Sequence, residues 1–404
     1  MMKKTIIHVA PFALWDSGKG KGRVSTYLPI KGLANNGYDN IYITDSSYAS
    51  PDDSEQGIQV VKINNPFADT RFSNTKIYLL LFYLPIIYPL FIYHAIRIQK
   101  KHDVDVVYSH STNLAFVGYI LAKIFKAKHV LRLYGIGMVS APRFLHWGLM
   151  RKHAFGYPTD LYIIANDGSN GYEYALKRGV PPHKIAFLRN GIDKPENQKK
   201  DERLYKELAP NNETLLLSVS RLAETKNIDK IIETFCEVSK TLPNTRLVIV
   251  GDGLERKNLE IMASQLGISD RISFVGSICQ KDVVRYQSVA DVFISMNEIS
   301  SLSNAVFEAM SCGKCVIALD RGTTRDLIKD GENGIVIKSY EELKDAIIRL
   351  LSDSSLIARL GENAKSTIST WPSWEERVQI EIEMINSLCE NNTPSIHNRQ
   401  NGKN

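Results

Sequence analysis

The sequence has little cysteine: Cys236, Cys279, Cys312, Cys315 and Cys389 are the only five in 404 residues. So few, and an odd number, do not make a disulfide framework, and a reducing compartment suits them. Cys312 and Cys315 form a C-x-x-C, but no second pair completes a zinc site, and Gly313 between them reads as a helix stop. A structural role is therefore expected for both. No secretory signal precedes the first strand-like run, which points to the cytoplasm. There is also no G-x-G-x-x-G, no Walker A motif, and no D-x-D-type acidic pair in a loop suited to a metal. Recognition-helix, RNP-type and zinc-finger patterns are missing too, which argues against nucleic acid as a partner.

What is present is globular. Hydrophobic residues make up 44% of the chain and charged residues 23%, which excludes wholesale disorder. The length suits two domains of roughly 150–200 residues. The net charge of +6 is unevenly spread, since residues 1–195 hold 24 Lys/Arg against 13 Asp/Glu and the remainder 26 against 31. A basic first half beside a mildly acidic second half suggests that only the first faces a polyanion, either anionic lipid or a phosphorylated acceptor. Ile77–Tyr93 is a 17-residue stretch without charge, rich in Tyr and Phe and broken by Pro85 and Pro89. Three readings stay open for it: a buried core helix, a helix in the membrane interface backed by Arg97, Lys100 and Lys101, or a short span.

Short β-branched runs alternate with helical stretches along the whole chain. They begin at Thr5–Ala10 and end at Gly334–Ile337, with seven in the first half and six in the second. That rhythm predicts βαβ units and parallel sheets. The expected organisation is a first Rossmann-like domain over 1–193, a polar linker over 194–212 and a second such domain over 213–370. A closing helix over 371–390 and a polar tail over 391–404 complete it.

Three segments carry candidate chemistry. The first strand is followed by a glycine loop in which Gly18, Gly20 and Gly22 alternate with Lys19, Lys21 and Arg23. Glycines there let backbone approach an anion. The strand Leu215–Ser220 opens into Arg221 and Lys226, two cations at the carboxyl end of a strand, where α/β folds bind ligands. A planar guanidinium and a mobile ammonium together suit a diphosphate. Finally, a helix is predicted to start near Ser301 to Ser303 and to close at Gly313. Ser301, Asn304, Glu308 and Cys312 share one of its faces, while Leu302, Val306 and Met310 share another. Its N-terminus can hold phosphate, and Glu308 further along can accept hydrogen bonds from ribose.

The strings SRLAETKN, GDGLERKNLE, ISFVGSI, SLSNAVFEAMSCGKCVIA and DLIKDGENGIVI resemble the C-terminal domain of family 4 glycosyltransferases. NGID (Asn190 to Asp193) and TWPSWEERV extend the likeness, which covers nearly all of residues 185–380. The resemblance implies the GT-B fold, two Rossmann-like domains facing each other across a cleft, and a retaining transfer from a nucleoside diphosphate sugar to a hydroxyl acceptor. It implies that Arg221 and Lys226 hold the donor diphosphate, beside Ser220, and that Glu308 holds the ribose. Gly276 and Ser277 would lie by the base, and Ser301, Leu302, Ser303 and Asn304 would touch sugar and phosphates. Gly20 and Gly22 belong to the donor side as well. No metal or other cofactor is implied, because the cations take that part.

Two positions depart from the family pattern. Its acid eight residues before Glu308 is replaced by Ser300, with Glu298 two residues away, and its first-domain histidine appears as Tyr134. Glu298, Ser300, Tyr134 and His110 are thus the candidates for contact with sugar or acceptor. The expected acceptor is lipid-linked or a surface polysaccharide, met by a peripheral protein on the inner face of the plasma membrane. The alternatives are another GT-B enzyme, such as a nucleotide-sugar 2-epimerase, or a non-catalytic nucleotide-sugar binder.

Overall fold

The computed structural model describes residues 3–16, 21–22, 24–46, 49–65, 86–100, 102–134, 155–165, 171–192, 200–298 and 302–390. The chain divides into two compact units. The first holds residues 1–166, 170–190 and 374–404, and the second holds 167–169 and 191–373.

Among the described residues, the sheet of the first unit has seven strands, all parallel, in the order β5-β4-β1-β6-β7-β8-β9. These are β1 Thr5–Ala10, β4 Asp39–Thr44, β5 Ile58–Lys62, β6 Val106–His110, β7 Lys128–Leu133, β8 Leu161–Ala165 and β9 Ile185–Leu188. β1 and β6, at the middle of the sheet, are buried along their whole length, as suits strands covered on both faces. A two-stranded antiparallel ribbon, β2 Trp15–Asp16 with β3 Lys21–Gly22, flanks the glycine loop. The last helix, Trp374–Cys389, belongs to this first unit although it follows the second in sequence. A Cβ on Gly32 would lie 2.1 Å from Val378 Cγ1, so the glycine lets the helix Val24–Asn35 press directly against it. Deeper along the same helix, Glu381 is fully buried. It takes Arg132 Nη1 at 2.7 Å, Arg377 Nη1 at 2.9 Å and the Tyr108 hydroxyl at 2.5 Å.

The second unit repeats the design with six described strands in the order β12-β11-β10-β13-β14-β15. They are β10 Thr214–Val219, β11 Thr245–Val250, β12 Ile272–Gly276, β13 Val292–Ser295, β14 Cys315–Leu319 and β15 Ile335–Ile337. Ranked by sequence this order is 3-2-1-4-5-6, and the direction of winding reverses between β10 and β13. Apolar clusters cover both faces, one around Phe235, Ile249 and Ile317 and the other around Phe293, Val306 and Val316.

Two expectations need correction or limits. The stretch 194–212 is not wholly linker, because Glu202–Leu208 is a helix. Asp201 caps it by accepting from Leu204 N–H, and Leu204 and Leu208, one turn apart, bury their side chains. Of Ile77–Tyr93, the part up to Pro85 lies outside the described residues, as does the tail from 391. The described remainder enters the helix Tyr88–Gln99, which buries Tyr88, Phe91 and Ala95. No helix among the described residues is long and apolar enough to cross a membrane.

Candidate functional site

In the second unit the reversal point between β10 and β13 gathers most of the expected residues. Ser220 and Arg221 leave the carboxyl end of β10, and Lys226 closes the short 3-10 turn Glu224–Lys226. Arg221 is exposed, whereas Lys226 is half-buried. The buried Ser220 Oγ has no hydrogen-bond partner among the described residues.

Two glycines let the neighbouring strand end come close. A Cβ on Gly251 would lie 1.8 Å from Ser220 O, and one on Gly253 2.0 Å from Leu222 O. Backbone bonds then join the strand ends: Ser220 N–H to Val250 O at 3.0 Å, Leu222 N–H to Asp252 O at 2.9 Å and Gly251 N–H to Gly276 O at 2.8 Å. Gly276, at φ +85°, turns the chain out of β12 toward exposed Ser277.

Across the reversal point, the helix Asn304–Ser311 starts where the sequence places it. Ser303 is its N-cap, with extended backbone and a side chain accepting from Val306 N–H. Gly313, at φ +69°, ends it. Leu302, Val306 and Met310 are buried, while Asn304 and Glu308, one turn apart, stay half-exposed on the other face. At ~1.5 Å per residue Glu308 sits about 6 Å along the axis from Asn304. Beyond it the thiols of Cys312 and Cys315 are pushed up by burial to about 11 and about 12. Redox thiols are shifted the other way, so these two behave as packing groups.

In the first unit, His110 at the end of β6 and Tyr134 just past β7 are brought together, with His110 Nδ1 to the Tyr134 hydroxyl at 2.7 Å. They belong to a longer chain whose direction is fixed from its far end. Asn40 Nδ2 donates to Tyr38 O and Gly57 O, so its Oδ1 must accept from His8 Nε2 at 3.0 Å. His8 Nδ1 then accepts from His110 Nε2 at 3.0 Å, and His110 Nδ1 accepts from Tyr134, which itself accepts from Thr26 Oγ1 at 2.6 Å. Burial, only partly offset by the Asn40 bond, lowers the His8 pKa to about 4, so this ring is neutral at physiological pH.

Comparison with known proteins adds to this geometry. Residues 199–367 match the model "Glycosyl transferases group 1". Over 298 residues the chain is 26% identical to an uncharacterized glycosyltransferase of Methanocaldococcus jannaschii, covering 69% of this chain and 74% of that one. It is also 29% identical over 166 residues to the alpha-monoglucosyldiacylglycerol synthase of Acholeplasma laidlawii, a match spanning 41% of each chain. In three dimensions it aligns with Anabaena HepE in complex with UDP at TM-score 0.72 and 20% identity, over 95% of this chain and 100% of that one. Over residues 199–367 the chain is similar to the group 1 glycosyltransferases. Its fold is GT-B, and its likeness is to the family 4 type.

The second unit brings Ser220, Arg221, Lys226, Gly276, Ser277, Leu302, Ser303, Asn304 and Glu308 to one end of one sheet. Gly22 lies in the ribbon strand opposite Trp15. Gly20, Ser300 and Ser301 lie outside the described residues. Glu298 follows β13 and its carboxylate receives Arg321, Asn227 and Tyr340. His8, Asn40 and the glycine pair 251/253 are site elements that reading the sequence missed. A histidine inside the apolar run IIHVA, and glycines flanking an aspartate at a strand end, were the available signals.

Proposed function

We propose that this glycosyltransferase moves a sugar from a nucleoside diphosphate sugar to a hydroxyl acceptor with retention at the anomeric carbon. The observation that carries the reading is the pairing of Arg221 and Lys226 with a capped helix N-terminus across the reversal point of a 3-2-1-4-5-6 sheet. Cations and a helix N-terminus stabilise a bound diphosphate, while Glu308 one turn along accepts from ribose hydroxyls. Solved relatives titled as complexes with UDP and UDP-glucose support a donor of this class. The acceptor is proposed to be lipid-linked or saccharide. Relatives named alpha-monoglucosyldiacylglycerol synthase and lipopolysaccharide core biosynthesis glycosyltransferase support this. The protein would work peripherally on the inner membrane face.

The test is a panel of nucleotide-sugars in a thermal-shift screen, followed by turnover on lipid and saccharide acceptors, with the product anomer read by NMR. Product retaining the donor's configuration is expected. A donor that binds without transfer to any acceptor, or is isomerised with no acceptor present, would replace this reading by a binder or an epimerase. With cations in place of a metal, transfer is also expected to continue in EDTA. Loss of activity on chelation, restored by magnesium or manganese, would refute that part.

A further inference from the structure

Lys226 is the middle residue of a clamp. The preceding residue, Thr225, accepts at its carbonyl from Glu298 N–H at 3.0 Å. The following residue, Asn227, donates from Nδ2 to Met296 O at 2.8 Å and reaches Glu298 Oε2 at 3.3 Å and the Tyr340 hydroxyl at 2.9 Å. The segment 296–298 beyond β13 therefore grips the chain on both sides of Lys226. Asn227 sits in the left-handed region at φ +51° and begins the helix Ile228–Thr241, so the turn carrying Lys226 depends on that residue being held.

Glu298 is in turn held from the far side of the sheet. Arg321, beyond β14, donates Nε to Glu298 Oε1 at 3.0 Å and Nη1 to Asp320 O at 2.9 Å and Lys338 O at 3.3 Å. Tyr340, beyond β15, donates its hydroxyl to Glu298 Oε2. One carboxylate thus links the loops after β10, β13, β14 and β15. It stays charged at neutral pH, since the bonds from Tyr340 and Arg321 outweigh the burial that pushes its pKa up. Each contact is solvent-edged and individually weak, but they converge on one group.

We propose that Glu298 is a positioning residue, which fixes the Lys226 turn for the donor diphosphate through Thr225 and Asn227 rather than touching the sugar itself. This rests on the reading of Lys226 as a diphosphate ligand, and the experiment separates the two. UDP, GDP and ADP are titrated by calorimetry into wild type, Glu298→Ala, Tyr340→Phe, Lys226→Ala and the Glu298→Ala/Lys226→Ala double variant. Melting temperatures are taken in parallel, and kcat and KM are measured with the matching sugar nucleotide. Glu298→Ala is expected to weaken the nucleotide that binds about tenfold and to raise donor KM more than it lowers kcat. Tyr340→Phe should act in the same direction more mildly. In the Lys226→Ala background, Glu298→Ala should add almost nothing, because there is no longer an ammonium to place.

Additive losses in the double variant would overturn the proposal in favour of a general structural role. Wild-type nucleotide affinity with reduced kcat in Glu298→Ala would overturn it in favour of a sugar contact. Unchanged affinity in Lys226→Ala itself would instead sink the diphosphate assignment. If Glu298→Ala does not fold, Glu298→Gln and Tyr340→Phe carry the same comparisons.

Discussion

Arg221 and Lys226 leave the same strand end but are differently constrained. Arg221 projects into solvent, whereas Lys226 is held in a turn fixed by its neighbours. A charge-assisted contact to phosphate is worth about 1.5–3 kcal/mol, and solvent screening puts an exposed side chain at the lower end. Arg221→Ala should therefore weaken nucleoside diphosphate binding less than Lys226→Ala, and both should leave the melting temperature unchanged. Calorimetric titration checks the order, and wild-type affinity in both would remove the site from this loop. His8 supplies a second residue-scale prediction. Burial lowers both His8 and His129 to about 4, below the ordinary histidine value near 6.5. The unfolded chain then binds protons that the folded chain refuses, so stability falls as pH drops from about 6.5 toward 4. Each buried ring accounts for about 3 kcal/mol over that whole window, as an order of magnitude. Denaturant unfolding at several pH values between 6 and 5, where most carboxylates remain ionised, isolates the effect. A flat profile there would contradict it.

The element that shapes the proposed donor site is the seam between the ends of β10 and β11. Gly253 does not need a positive φ, so its cost on substitution is steric alone. Adding a methyl group 2.0 Å from Leu222 O forces the strand ends apart and carries Arg221 with them. Gly253→Ala should cost about 1–3 kcal/mol of stability and weaken nucleotide binding together. Melting temperature and calorimetry decide it, and loss of neither would show that the seam yields freely. This seam also marks how far the sequence could be read. Periodicity placed β10, β11 and the helix Asn304–Ser311 to within a residue or two, because apolar runs, a serine cap and a terminal glycine are local signals. The helix Glu202–Leu208 was hidden by its many charges, although Asp201 and the Leu204/Leu208 spacing announce it. The Glu298 clamp was not legible at all, since its partners lie 71, 23 and 42 residues away in sequence. The same holds for His8 and His110, separated by 102 residues and joined only by the adjacency of β1 and β6. Local signals give elements, and only sheet order gives constellations.

At the scale of the whole molecule the outstanding feature is the division of charge, with residues 1–195 carrying the cationic excess. In the first unit, the helices Tyr88–Gln99 and Ala115–Phe125 belong to one apolar cluster through their inner faces, and neither contains an acidic residue. Their outer sides leave Tyr93 55% and Ile124 48% exposed, with Ile86 just ahead of the first helix at 37%. Arg97 lies over the Tyr93 ring at 5.8 Å and Lys123 over the Tyr119 ring at 5.9 Å, so cations and amphipathic rings share the same surface. Tyrosines with flanking Lys and Arg suit the headgroup region of a bilayer, and each cation near an anionic surface contributes about 1 kcal/mol. Exposed apolar side chains without the charge would bind only marginally, as would the charge alone. Co-sedimentation with vesicles containing anionic lipid is therefore expected at low salt, to weaken as salt rises, and to be weaker still for a Tyr93→Ser/Ile124→Ser variant. Neutral vesicles should retain little protein. If the protein stays in the supernatant at every salt concentration, the basic half has another polyanionic partner and the exposed side chains are ordinary surface. If it pellets equally with neutral vesicles, insertion rather than charge holds it there.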